Sequence, residues 1–324
     1  MTEAERQQLP DLAAERLGGV VLAANDEFFA PKENLLRRAA PVWREDEFTD
    51  HGKWMDGWET RRRREPGHDW CVIRLGLPGS IRTAIVDTTF FTGNYPEQCS
   101  LEVAAVPDSA DASAWESASW TELLPQSALA GDSRNVFDVD RPGRWTHVRF
   151  NIFPDGGVAR LRLHGEVMPD WSALEAAGQP IDLAALANGG RIVAQSDAFY
   201  GNANNMLQPG RSTHMADGWE TKRRRVPGNE WAVVRLGRPG VITSVEIDLD
   251  HFKGNAPGWI SLESCVADDD QIATADCRPL VGKQPVEAHG RHRFETEAAD
   301  QAMTHVRLSI YPDGGVARLR LYSA

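Results

Sequence analysis

Apolar residues along this chain alternate with polar ones in short runs. Val158-Ala159-Arg160-Leu161-Arg162-Leu163 puts Ala159, Leu161 and Leu163 on one face and Arg160 and Arg162 on the other, the period-two signature of a strand. Trp70 to Leu77, Ile81 to Phe91, Leu101 to Val106 and Trp145 to Phe153 behave similarly, bounded by Gly, Pro, Asn and Asp. Many short strands at this spacing predict an antiparallel sandwich or jelly roll. Helical periodicity is confined to the N-terminus and to a segment near residue 175, and no strand–helix alternation supports a doubly wound sheet.

The pattern occurs twice. Thr146 through Leu163 aligns without gaps to Thr304 through Leu321, with 15 of 18 positions identical. Asp56-Gly57-Trp58-Glu59-Thr60-Arg61-Arg62-Arg63-Arg64 recurs as Asp217-Gly218-Trp219-Glu220-Thr221-Lys222-Arg223-Arg224-Arg225. Trp70 pairs with Trp231, Phe91-Thr92-Gly93-Asn94 with Phe252-Lys253-Gly254-Asn255, and Asp26 and Phe28 with Asp197 and Phe199. A period this long makes each copy a complete domain rather than a solenoid repeat. The expected division is an N-terminal extension over 1–17, a first repeat over 18–165, a linker with one short helix over 166–189, and a second repeat over 190–324.

With 41% hydrophobic and 25% charged residues the composition is that of a globular protein. The net charge of -12 repels phosphate backbones and anionic lipid, so neither nucleic acid nor a membrane surface is an expected partner. No apolar run approaches bilayer length, and the polar opening Met1-Thr2-Glu3-Ala4-Glu5-Arg6 lacks signal-peptide order. A cytoplasmic protein is expected, acting on a small-molecule substrate as a homo-oligomer. Cys71, Cys99, Cys265 and Cys277 show no CxxC spacing and are not duplicated between the halves, so free thiols packed as small apolar groups are expected.

The turn Pro154-Asp155-Gly156-Gly157 and its twin at 312–315 need no more than the geometry of a tight turn. His147 and His305 lie inside strands and read as structural. The Asp-Gly-Trp-Glu-Thr-Arg block is different, because a core gains little from so many charges kept in register. Arginine suits bidentate carboxylate binding, and a neighbouring Asp or Glu can hold it or move protons. In an extended segment alternate arginines point to opposite sides, so only some of Arg61 to Arg64 can face one pocket. His68-Asp69 stands opposite Asn229-Glu230. His68 can act as an acid or base near neutral pH and Asn229 cannot. No HExxH, P-loop, GxSxG elbow or dinucleotide-binding glycine pattern occurs, and neither a metal nor a cofactor is expected.

Leu17-Gly18-Gly19, Asp26 through Leu35, both Asp-Gly-Trp-Glu-Thr blocks, Gly67-His68-Asp69-Trp70, Phe91-Thr92-Gly93-Asn94 and the His-Val-Arg…Pro-Asp-Gly-Gly-Val-Ala-Arg-Leu-Arg strands together resemble the allantoicase family, over nearly the whole chain. The resemblance implies a repeated jelly roll related to galactose-binding domains. It also implies hydrolysis of allantoate to ureidoglycolate and urea in purine breakdown. For that reaction motif chemistry makes Glu59, His68 and Asp69 the candidate proton carriers. Arg61, Arg62, Arg63 and Arg64, with Arg223, Arg224 and Arg225, are candidates for the substrate carboxylate. Asn94 and Asn255 would bond a ureido carbonyl, and Asp56, Asp217 and Glu220 complete the substrate-binding set. The competing expectation is a non-catalytic tandem carbohydrate- or small-ligand-binding jelly roll, since fold alone proves no activity.

Overall fold

The computed structural model describes residues 9–107, 110–111, 113–270, 272, 276–296 and 301–323. They form two compact units, Met1–Met168 and Pro169–Ala324, each a β-sandwich. In the first, the strands are β1 (Val20–Ala24), β2 (Phe48–Thr49), β3 (Gly52–Lys53), β4 (Trp58–Glu59), β5 (Asp69–Asp87), β6 (Gln98–Ala104), β7 (Thr121–Ala128), β8 (Arg134–Asp138), β9 (Trp145–Phe153), β10 (Gly157–Val158) and β11 (Arg160–Val167). In the second they are β12 (Ile181–Asp182), β13 (Arg191–Gln195), β14 (Trp219–Glu220), β15 (Glu230–Gly240), β16 (Ile242–Asp248), β17 (Trp259–Val266), β18 (Asp276–Pro285), β19 (Arg291–Glu295), β20 (Met303–Tyr311), β21 (Gly315–Val316) and β22 (Arg318–Ser323). The short helix α1 spans Trp171–Ala176, with the Asp170 carboxylate accepting the Ala173 N–H as its cap.

One sheet of the first unit runs β1-β5-β9-β6-β7, while the far end of β5 pairs with β11 and β8 to build the opposite layer. Strand β5 therefore serves both layers: residues 69–79 pair with β9 and 79–87 with β11. The crossing falls at Gly79, where a Cβ would meet the Glu166 carbonyl at 2.1 Å. In the second unit the same path is broken into β15 and β16, giving separate sheets β13-β15-β20-β17-β18 and β12-β22-β16-β19. All of these pairings are antiparallel, and the all-β tandem jelly roll predicted from the alternation is the fold observed.

The core follows from that alternation. Val148, Phe150 and Ile152 of β9 and Leu161 and Leu163 of β11 are fully buried, as are Val306, Leu308, Ile310, Leu319 and Leu321 in the second unit. Trp58 and Trp219 are buried at the ends of the cores, each donating its Nε1–H at 2.8 Å to a carbonyl, Asp26 and Asp197 respectively. A buried indole keeps its polar edge satisfied this way.

Each unit is also laced by a strap. In Asp11-Leu12-Ala13, the Asp11 Oδ1 accepts the N–H groups of Ala13 (3.2 Å) and Leu163 (2.9 Å), and Leu12 is buried. Asp182-Leu183-Ala184 repeats this on Ala184 (3.1 Å) and Leu321 (2.9 Å). The repeat thus reaches back to Asp11-Leu12-Ala13-Ala14 and Asp182-Leu183-Ala184-Ala185, ahead of Gly18-Gly19 and Gly189-Gly190.

One expectation is overturned. Cys265 and Cys277 are joined by a disulfide, whereas Cys71 and Cys99 are buried free thiols. Cys265 and Cys277 face each other directly across β17 and β18. Only strand register brings them together, and Cys277 lies where the copies have diverged, so comparing the halves did not reveal the pair. Burial pushes the Cys99 thiol up to about 12 and raises Cys71 as well, which keeps both inert.

Candidate functional site

The charged block begins on β4, whose Glu59 and Trp58 pair with Gly157 and Val158 of β10. Beyond β4 the chain is clamped to the 154–156 turn. The Thr60 N–H donates to the Gly156 carbonyl, the Gly156 N–H returns a bond to Thr60 Oγ1 (both 3.1 Å), and the Arg63 N–H donates to Asp155 Oδ2 at 2.8 Å. Gly156 has φ 139° and packs on the backbone of Asn94 and Tyr95, a place no side chain would fit. The turn that looked merely structural therefore sets the path of the arginine segment. The second unit repeats the clamp with Thr221, Gly314, Arg224 and Asp313.

These elements enclose an open cavity of about 850 Å³. It is lined by Glu59, Arg61 to Arg64, Asn94 and the 154–156 turn, together with Phe28, Phe29 and Tyr95. Charge is distributed by alternation. Arg61 is held by Asp26, with Nε at 2.6 Å and its backbone N–H at 2.9 Å. Arg63 donates from Nη1 to Asp69 Oδ1 at 2.6 Å. Lys222 with Asp197 (3.2 Å) and Arg224 with Glu230 (2.7 Å) repeat these pairs. Arg62, Arg64, Arg223 and Arg225 are exposed, and among the described residues no carboxylate pairs with them. They are the cations left available to an anion.

Burial pushes the Asp26 carboxyl up, but the N–H groups of Arg61 and Phe28 and the Arg61 guanidinium outweigh it, and the group titrates below the ordinary aspartate range. Glu59 goes the other way. Burial raises its carboxyl, and the single bond from Asn94 Nδ2 to Oε1, 2.7 Å, offsets this only in part. This half-buried glutamate therefore holds its proton to higher pH than an ordinary glutamate does. Glu220 receives the same bond from Asn255 at 2.6 Å.

Other sequence candidates lie elsewhere. Asp56 and Asp217 are buried, not on the cavity, and are bound by Arg160 and Arg318 of the β11 and β22 strands, each Nη2 to Oδ2 at 2.8 Å. The face of β11 opposite the core is thus not solvent. Asp69 is buried between Arg63 and Asn25, whose Nδ2 donates to Oδ1 at 2.9 Å. His68 packs against Phe153 with ring centroids 4.7 Å apart and the planes tilted by 36°, and lines a different recess. Sequence reasoning did not name Asp26 and Asp155 as site residues, although both recur, as Asp197 and Asp313. Among the described residues no group of three His, Cys, Asp or Glu is placed to hold a metal ion, and no helix is long and apolar enough to cross a membrane.

The family model for the allantoicase repeat matches residues 10–168 and again 181–324. The chain belongs to the allantoicase family. A probable allantoicase of Pseudomonas aeruginosa (strain UCBPP-PA14) is 48% identical over 324 residues, covering 97% of this chain and 95% of the relative. The allantoicase of Dictyostelium discoideum is 45% identical, covering 96% of this chain and 86% of its own length. Among solved structures, the Saccharomyces cerevisiae allantoicase superposes with a TM-score of 0.82 at 34% identity, covering 99% of this chain and 97% of that one. The two family repeats coincide with the two sandwiches, so each copy of the charged block sits on its own allantoicase repeat.

Proposed function

We propose that the chain is an allantoicase, hydrolysing allantoate to ureidoglycolate and urea in purine degradation. The family match across both repeats carries this reading. The Glu59–Asn94 cavity, with its unpaired arginines, supplies chemistry that suits it. Allantoate bears a carboxylate and two ureido groups on one carbon. Arg62 and Arg64 hold the carboxylate. Protonated Glu59 delivers its proton to the nitrogen of one ureido group as the C–N bond breaks, while the lone pair of the other ureido nitrogen forms a C=N bond to the same carbon. Water then adds to that carbon and returns a proton to the Glu59 carboxylate. Urea and ureidoglycolate are the products, and Glu59 ends as it began.

Asn94 acts as a positioning residue for Glu59. Arg61 and Arg63 are braced by Asp26 and Asp69 and hold the segment in place. Glu220, Asn255, Arg223 and Arg225 form the corresponding set in the second repeat. His68 lines another recess, which favours Glu59 over it as the proton carrier. A cytoplasmic setting and a homo-oligomer accompany this reading, to be checked by cell fractionation and sedimentation. Urea release from allantoate by the purified chain is the deciding experiment. A tandem ligand-binding module would bind without releasing urea.

A further inference from the structure

The recess that His68 lines lies on the face of the five-stranded sheet turned away from the core of the first unit. It encloses about 610 Å³ between Trp70, Phe153, Glu102, Glu122, Arg149 and Asn151. Its charged groups are two carboxylates, Glu102 and Glu122, and one guanidinium, Arg149, with the His68 ring beside them. Asn151 is 4% exposed, and its amide orientation is fixed because Nδ2 donates to Ser100 Oγ at 3.0 Å and Glu102 Oε2 at 3.2 Å. Its Oδ1 is buried and has no donor among the described residues. Arg149 is spoken for: its guanidinium lies 4.4 Å over the Trp120 ring and 3.5 Å from Glu102. Glu122, paired opposite Glu102 in the β6–β7 register, is exposed and adds a second carboxylate beside a first.

The second repeat answers the same face differently. Tyr311 replaces Phe153, and its hydroxyl lies 3.0 Å from Ser261 Oγ, where Ser261 is the counterpart of Ser100. Pro279 replaces Glu122 opposite Glu263. Lys283 lies with its ammonium 4.1 Å over the Tyr311 ring. By strand register the counterpart of Lys283 is Gln126, and Gln126 is turned aside, its Nε2 donating to the Gln98 side-chain Oε1. The second repeat thus carries its own cation on an aromatic wall. The first has Gln126 in place of that cation and Glu122 in place of Pro279.

We propose that the first-repeat recess binds a small organic cation of the alkylammonium or guanidinium class, in the role that Lys283 plays within the second repeat. The aromatic walls Trp70 and Phe153 suit a cation electrostatically, and Glu102 and Glu122 supply opposite charge. This site is separate from the Glu59 cavity and does not depend on its chemistry.

Saturation-transfer NMR on the full chain, with methylguanidinium, methylammonium and neutral methylurea as probes, tests it. One or both cations should show transfer and methylurea at least tenfold weaker binding. Gln126→Lys, which installs the second repeat's cation, should weaken the cation at least tenfold, and Glu122→Gln severalfold. Absence of transfer to both cations overturns the proposal. So does methylurea binding as tightly as the cations, or affinity unchanged in both variants with near-UV circular dichroism intact.

Discussion

Asp56→Ala takes the carboxylate from a guanidinium that is itself only 2% exposed. Arg160 would keep neutral acceptors: the carbonyls of Ala39 at 3.0 Å, Asp56 at 2.9 Å and Ala159 at 2.7 Å. The Val42 N–H, now 3.1 Å from Asp56 Oδ2, would lose its acceptor as well. Breaking a buried ion pair from one side typically costs about 3–5 kcal/mol, because the remaining charge stays desolvated. For a unit of this size each kcal/mol lowers Tm by roughly 2–4 °C, so a fall of about 6–20 °C is expected. Differential scanning calorimetry measures it, and steady-state assays below the transition should find KM for allantoate within about threefold of wild type. Exchanging both partners, Asp56→Leu with Arg160→Met, should recover a large part of the loss, since a matched apolar pair has no stranded charge. A variant that melts within 2 °C of wild type but binds allantoate tenfold more weakly would refute this and return Asp56 to the substrate.

Glu59→Gln keeps the Asn94 contact but cannot carry a proton, so kcat should fall by about 10²–10⁴ with Tm unchanged; turnover within threefold of wild type would remove Glu59 from the mechanism. Because burial raises the Glu59 carboxyl and the protonated form starts the reaction, kcat/KM should decline as pH rises through that raised value, and this limb should vanish in the glutamine variant. Arg62→Ala with Arg64→Ala should raise KM for allantoate by about 10–100-fold through lost charge-assisted bonds, with kcat much less affected. His68→Asn separates the two proton carriers, with turnover near wild type expected and a hundredfold loss pointing to histidine instead. Burial lifts Asp182 to about 6. The stability this gives is full below the unfolded aspartate value near 4 and is lost as pH rises through about 6. Asp182→Asn should flatten that part of the denaturation-midpoint profile against pH.

Local chemistry alone gave the duplication, the antiparallel sandwich and the importance of the Glu-Thr-Arg block, because strand alternation and repeated charge are properties of neighbouring residues. Two further local signals lie in the repeat. Asp11-Leu12-Ala13-Ala14 and Asp182-Leu183-Ala184-Ala185 mark the straps, and the recurrence of Asp26 and Asp155 marks the braces of the arginine segment. Alternation likewise places consecutive His68 and Asp69 on opposite sides as β5 begins, so they were poor partners for a single proton relay.

What remained hidden depends on distance along the chain. Asp56 meets Arg160 across 104 residues, and the Arg63 backbone N–H meets the Asp155 carboxylate across 92; Asp56, Arg160 and Asp155 all look like solvated surface charges until the sheets close. The same closure decides which arginines are free. Four consecutive guanidiniums are alike in sequence, yet Asp26 and Asp69 claim Arg61 and Arg63 and leave Arg62 and Arg64 to a ligand. The Cys265–Cys277 bond is likewise a fact of register. Composition and periodicity determine which face of a strand is buried. Tertiary structure determines which charge finds a partner, because a carboxylate beyond the reach of a side chain in sequence is brought to hydrogen-bonding distance only by the fold.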